Sequence, residues 1–96
     1  MTDLPKLPSG PEVLSAIHEL VIDDYAGNQS AVAEAMGIDR RLYWQRRRMR
    51  CSLALALEHG LAVGVLAQTQ PDGAVALWRQ GKSREKVLVR ADSTLA

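Results

Sequence analysis

Arg40, Arg41, Arg46, Arg47, Arg48 and Arg50 fall within eleven residues and supply half of the twelve lysines and arginines in this 96-residue chain. A guanidinium is permanently charged and presents a planar fork of donors that matches phosphate oxygens or the O6/N7 edge of guanine. Each phosphate it neutralises releases counterions, so binding through such a cluster is salt-dependent. The chemistry implied is polyanion recognition. Gln45, in the same run, has the amide that pairs with adenine. Trp44 lies among the arginines, where it can touch a thymine methyl or a sugar, or pack against a neighbouring element or a second copy. A net charge of +1 hides the asymmetry. Residues 1–39 carry seven acids and one lysine, residues 40–50 six arginines and no acid, and residues 51–96 five bases and four acids. One concentrated cationic segment on a nearly neutral chain fits a local polyanion site better than diffuse adhesion.

Other chemistry is poorly supplied. Cys51 has no base near it in sequence, and a buried structural thiol is expected. His18 and His59 stand apart with no further Cys or His around either, which disfavours a metal site. Asp23-Asp24 reads as an acidic helix end, and no phosphate-binding glycine loop is present. No enzyme, cofactor, metal or small-molecule substrate is therefore expected. A single cysteine allows no internal disulfide and favours an intracellular location. The N-terminus lacks a basic segment followed by an apolar run, and Leu53 to Ala67 is too interrupted to span a bilayer, so no membrane partner is expected.

The arginines need a helix, and the flanking residues delimit one. Asp39 can cap a helix over 40–50. On a 3.6-residue period Leu42, Tyr43 and Met49 face one side. Arg40, Arg41, Trp44, Arg47 and Arg48 face the other, with Gln45 at its edge. Arg46 falls on the apolar side; pairing with Glu19, Asp23 or Asp24 or simple snorkelling would accommodate it. Before this helix, Asn28 caps an alanine-rich helix over 29–36, and Gly37 makes the turn. Ahead of that, Ser9 and Glu12 have capping-box spacing, and Val13, Leu14, Ile17, Leu20 and Val21 form the apolar stripe of a first helix ending near Tyr25. Ser52 caps a fourth helix, 53–59, stopped by Gly60, with Leu53, Ala56 and Leu57 placed to cover the third; the alternative is a fourth helix running on to Ala67 with one hairpin after it, against which Gly60 and Gly64 argue. AVGVLAQT, AVALWR and KVLVR then read as short strands separated by QPDG and QGKSRE turns. Trp78, in the second, is expected in the core or at a dimer contact.

Gly27 to Arg41, GNQSAVAEAMGIDRR, resembles the DNA-binding half of Fis-type regulators at Gly27, Asn28, Gln29, Ala33, Gly37, Ile38 and Arg40, over residues 12–50. The stretch is also similar to Cro-type phage and plasmid regulators, more loosely but over more of the chain. The resemblance implies a helix-turn-helix whose third helix enters the major groove. It departs where the pattern has an aliphatic residue six positions after the turn glycine and an apolar one nine after; here these are Tyr43 and Arg46. A slightly rotated third helix, packed through Leu42 and Met49, would compensate.

These readings combine into a mainly α fold of about four helices with a small C-terminal antiparallel hairpin or meander. Residues 1–8 form an N-terminal arm, 9–60 the helix-turn-helix region, 61–90 a β-rich dimerisation region and 91–96 a frayed tail. The expected function is sequence-specific, repressor-type transcriptional regulation by a cytoplasmic, nucleoid-associated, bacterial or phage-encoded homodimer on palindromic double-stranded DNA. Gln29, Arg40, Arg41, Trp44, Gln45, Arg47, Arg48 and Arg50 are the candidate contacts. The alternative is an interaction module on the same scaffold: a DNA-packaging or recombination subunit, or an adaptor for an acidic protein surface.

Overall fold

The computed structural model describes residues 6–91, and the proposed start of the arm and most of the proposed tail lie outside this range. Four helices, α1 (Gly10–Val21), α2 (Gln29–Ala35), α3 (Arg40–Arg48) and α4 (Leu53–Ala62), precede three strands, β1 (Val65–Thr69), β2 (Val75–Arg79) and β3 (Val87–Val89). The strands form an antiparallel meander in the order β1-β2-β3.

α1 is the central element. Ser9 and Glu12 complete the capping box, each accepting the other's backbone N–H. Val13, Leu14, Ile17 and Val21 are buried along one face, and that face packs against α3, α4, β2 and β3. The α-helix stops at Val21 rather than near Tyr25: Ile22–Tyr25 tighten into a 3-10 turn, and Ala26 and Gly27 both take left-handed backbone. The tighter turn brings the N–H of Asn28 to the Tyr25 carbonyl, so the chain reverses directly into α2.

Asn28 caps α2 and Asp39 caps α3 through their side-chain oxygens. Between the helices the chain closes in a Schellman motif: Ile38 N–H bonds the Ala33 carbonyl and Gly37 N–H the Glu34 carbonyl. This geometry requires a left-handed residue after the cap, and Gly37 supplies it at φ 80°. Ile38 packs against the core beside buried Val32 and Ala33. Ala33→Leu is expected to overpack the joint by about 1–3 kcal/mol. Gly37→Val, with open space around its Cβ, pays only the backbone strain, on the order of 1–2 kcal/mol. Thermal unfolding of both variants checks this; two unchanged melting temperatures would mean that the joint tolerates slack.

α4 runs through Gly60 to Ala62 and the first strand begins at Val65, so the helix does not stop at Gly60. Gly60 is buried where α4 crosses α1, its Cβ position 2.9 Å from Ile17 Cδ1. The residue that reads as a helix breaker serves close helix packing. α4 accordingly packs mainly on α1 and β1 rather than covering α3.

In the sheet, Val65, Val75, Leu77 and Val89 lie on the core side. Ala76 pairs with Gln68 and Leu88, and Trp78 with Leu66, on the outer face. The Gln70–Gly73 turn is closed by Gly73 N–H to the Gln70 carbonyl, and Asp72 accepts from Ala74 N–H. Trp78 is only half-buried, with Lys86 Nζ 4.9 Å from its ring centroid, and is not a core residue.

Candidate nucleic-acid interface

Tyr43 fixes how α3 sits on the rest of the molecule. It is completely buried, and its hydroxyl lies 2.5 Å from His18 Nδ1 on α1. Burial pushes the Tyr43 phenol up to about 12, against the opposing effect of Arg47. Burial first, and then Arg47, hold His18 below its ordinary value despite Glu19. Both groups are thus neutral at pH 7. A phenol is the better donor of the two, so its O–H donates to Nδ1. Tyr43 and half-buried Arg46 hold the two positions where an aliphatic residue and another apolar residue were looked for. The core contact of α3 is therefore made through Tyr43 and not through Leu42 and Met49. Met49, beyond the helix end at Arg48, is 66% exposed rather than in the core.

The six arginines divide by what surrounds them. Arg46 donates from Nη1 to Nε2 of His59 on α4, at 2.7 Å, and reaches none of the three acids proposed for it. Because arginine has no acceptor, Nε2 must be unprotonated, which makes His59 a neutral Nδ1–H tautomer. His59 is 6% exposed. Burial and then Arg46 hold its pKa down, with Glu58 opposing.

Arg47, expected on the open face, is half-buried. Its guanidinium lies over the Tyr43 ring, Cζ 4.7 Å from the centroid, and Nη2 donates to Gln29 Oε1 at 3.0 Å. Its carbonyl accepts from Ser15 Oγ, and its Nε is buried without a hydrogen-bond partner. Arg47 therefore clamps α2 and α1 onto α3, and Gln29 is partly engaged in the same clamp. The cause is the side chain's length: from the edge of the exposed face it folds back over the aromatic ring, which attracts a cation.

Arg40, Arg41, Gln45, Arg48 and Arg50 are exposed. Arg50 lies past the last turn of α3. Trp44 is 46% exposed, and the Arg48 guanidinium sits 5.5 Å from its ring centroid. Arg40, Arg41, Trp44 and Arg48 thus form one solvent-facing stripe, and Gln29 joins Arg40, Arg41 and Trp44 around a shallow depression. Among the described residues no α3 arginine pairs with a carboxylate: the ion pairs are Arg79–Asp24, Lys82–Glu85 and Arg90–Asp72.

Periodicity found the stripe and the exceptional position of Arg46, but not the His59 partner or the role of Arg47. A histidine on the buried side of α4 was the available signal for the first. Cys51 is half-buried, its Sγ donating to the Ser52 carbonyl, and burial raises its pKa. Among the described residues no three metal-ligating side chains converge, and no helix is long and apolar enough to cross a membrane.

The two depressed histidines make stability depend on pH just below neutrality. A folded-state value below the ordinary 6.5 means that the unfolded chain binds the proton more readily. Their contribution is complete above that value and is lost as pH falls toward the folded-state pKa. Stability in denaturant titrations should be level between about pH 7 and pH 8 and should fall below pH 7, by at most about 1.4 kcal/mol per pH unit for each histidine. His59→Gln keeps an acceptor for Arg46 and removes one titration, so the slope should flatten. An unchanged slope would assign the acid response to carboxylates instead. No family model, curated protein or solved structure matches the chain.

Proposed function

We propose that the chain is a sequence-specific DNA-binding regulator that places α3 in the major groove of an operator. The observation that carries the reading is the uncompensated cationic stripe: Arg40, Arg41 and Arg48 are exposed with no intramolecular carboxylate partner among the described residues. A short helix joined to its predecessor by a tight turn, with its base held on α1 through Tyr43 and Arg47, is a rigid mount for such a stripe. Rigid mounting is what base-edge recognition requires of a helix.

A homodimer on a palindrome belongs to the same proposal, since two copies place their helices about 34 Å apart, one turn of DNA. The outer sheet face supports a contact there. Leu66 and Trp78 are half-buried and Leu88 is 52% exposed, and a three-stranded sheet leaves two open edges. Leu88→Asp should lower the mass seen by light scattering from dimer to monomer, with little change in the melting temperature extrapolated to low concentration. A variant that stays dimeric would move the contact off this face.

Selection of bound duplexes from a genomic pool, followed by footprinting, tests the function. A discrete protected palindrome is expected. Featureless or absent protection would favour the interaction module. That second reading has its own support in the other flank of α3, where Leu42 and exposed Met49 lie among Gln45, Arg46 and Arg50, a surface suited to an acidic, partly apolar segment.

A further inference from the structure

We propose that Trp44 reads the C5-methyl group of a thymine in duplex DNA, within one or two base pairs of a guanine held by Arg41. The inference rests on the proposed major-groove docking of α3 and adds a base identity to it. Trp44 is the one apolar side chain in a depression otherwise lined by Gln29, Arg40 and Arg41. An anion alone satisfies the arginines but makes no favourable contact with an indole ring. The ligand that fits must offer acceptors and an apolar group side by side. On the major-groove edges of base pairs the apolar group is the thymine methyl, and the acceptor pair that suits an arginine fork is guanine O6/N7. Arg48 lies over the indole from the following turn, and the ring still lines the depression. Arg41 and Trp44 are three residues apart on the helix, about 4.5 Å along its axis. One base step is about 3.4 Å, which places the two contacts on adjacent or next-adjacent pairs.

The test takes an operator obtained by duplex selection and replaces each thymine, one at a time, by deoxyuridine, which removes the methyl and nothing else. Affinities of the full chain and of Trp44→Ala are measured on every duplex, with melting temperatures as a check on folding. For the unaltered chain, one thymine per half-site should be sensitive, weakening binding about fourfold, the equivalent of about 0.8 kcal/mol for one buried methyl-sized group. That thymine should neighbour a guanine whose replacement is tolerated better by Arg41→Ala than by the unaltered chain. Trp44→Ala should bind the thymine and uracil duplexes equally. Uniform tolerance of uracil at all positions overturns the proposal, even where Trp44→Ala loses affinity, since that pattern denotes a sugar contact. Persistence of the uracil penalty in Trp44→Ala overturns it as well. Specific binding without a uracil effect leaves the DNA-binding function standing while removing this assignment; failure to bind any duplex removes both.

Discussion

Gly10→Ala is expected to be strongly destabilising for the addition of one methyl group, costing about 3 kcal/mol and lowering the melting temperature by roughly 15 °C. Gly10 opens α1, and a Cβ there would stand 1.9 Å from the Cys51 carbonyl oxygen, 2.5 Å from its carbon and 2.7 Å from the Ser52 oxygen. All three atoms are backbone, so no side-chain rotation relieves the clash. Either the start of α1 or the Cys51–Ser52 segment that leads into α4 must move, and the α1–α4 contact is the heart of the helical layer. Gly60→Ala is the informative control. Its nearest neighbour is the far end of Ile17 at 2.9 Å, and an alanine inside a helix is favoured over glycine by about 1 kcal/mol. The two effects offset, so a change within about 1 kcal/mol is expected. Equal losses in denaturant titrations of the two variants would show that α1 and the entry to α4 are less tightly apposed than the glycine implies.

The contrast between these glycines shows what was legible in the sequence. Ser9, Asn28, Asp39 and Ser52 all cap the helices they were expected to cap, because a cap is settled by residues three positions apart. The Pro-Asp-Gly turn and the three strands were readable for the same reason. Gly60 was misread because local propensity treats it as a helix breaker, whereas its function is to let α4 approach Ile17, and that contact spans more than forty residues. Gly10 carried no local signal at all. In α3 the alternation of basic and apolar residues placed Tyr43 and Trp44 on opposite sides, and they are buried and exposed accordingly. It marked Arg46 as the exception without giving its partner, and it put Arg47 on the open face, since a long side chain can fold back from its own stem. Their positions depend on His59 and Gln29, residues brought in by other helices.

That division of the arginines leads to the largest effects expected on binding, under the proposed DNA-binding function. Arg41 and Arg40 follow the Asp39 cap and project from the end of α3 where base edges are usually reached. Arg48 is exposed two turns later, where the helix passes the phosphates. Loss of a base-reading arginine should cost about 1–3 kcal/mol on the operator and far less on scrambled DNA. Loss of a phosphate contact should weaken both duplexes alike and reduce the slope of log K against log salt by about one unit. Arg41→Ala should therefore relax specificity, with Arg40→Ala a weaker version, and Arg48→Ala should produce the uniform, salt-linked loss. Arg47→Ala belongs to neither class. It removes the cover of Tyr43 and the bond to Gln29, so its binding defect should come with a lower melting temperature, which Arg41→Ala and Arg48→Ala should not show. Binding to both duplexes across a salt series, with thermal unfolding of each variant, separates the three behaviours. Relaxed specificity in Arg48→Ala with a uniform loss in Arg41→Ala would mean that α3 docks in the opposite sense. Unchanged binding in both would mean that another surface meets the DNA.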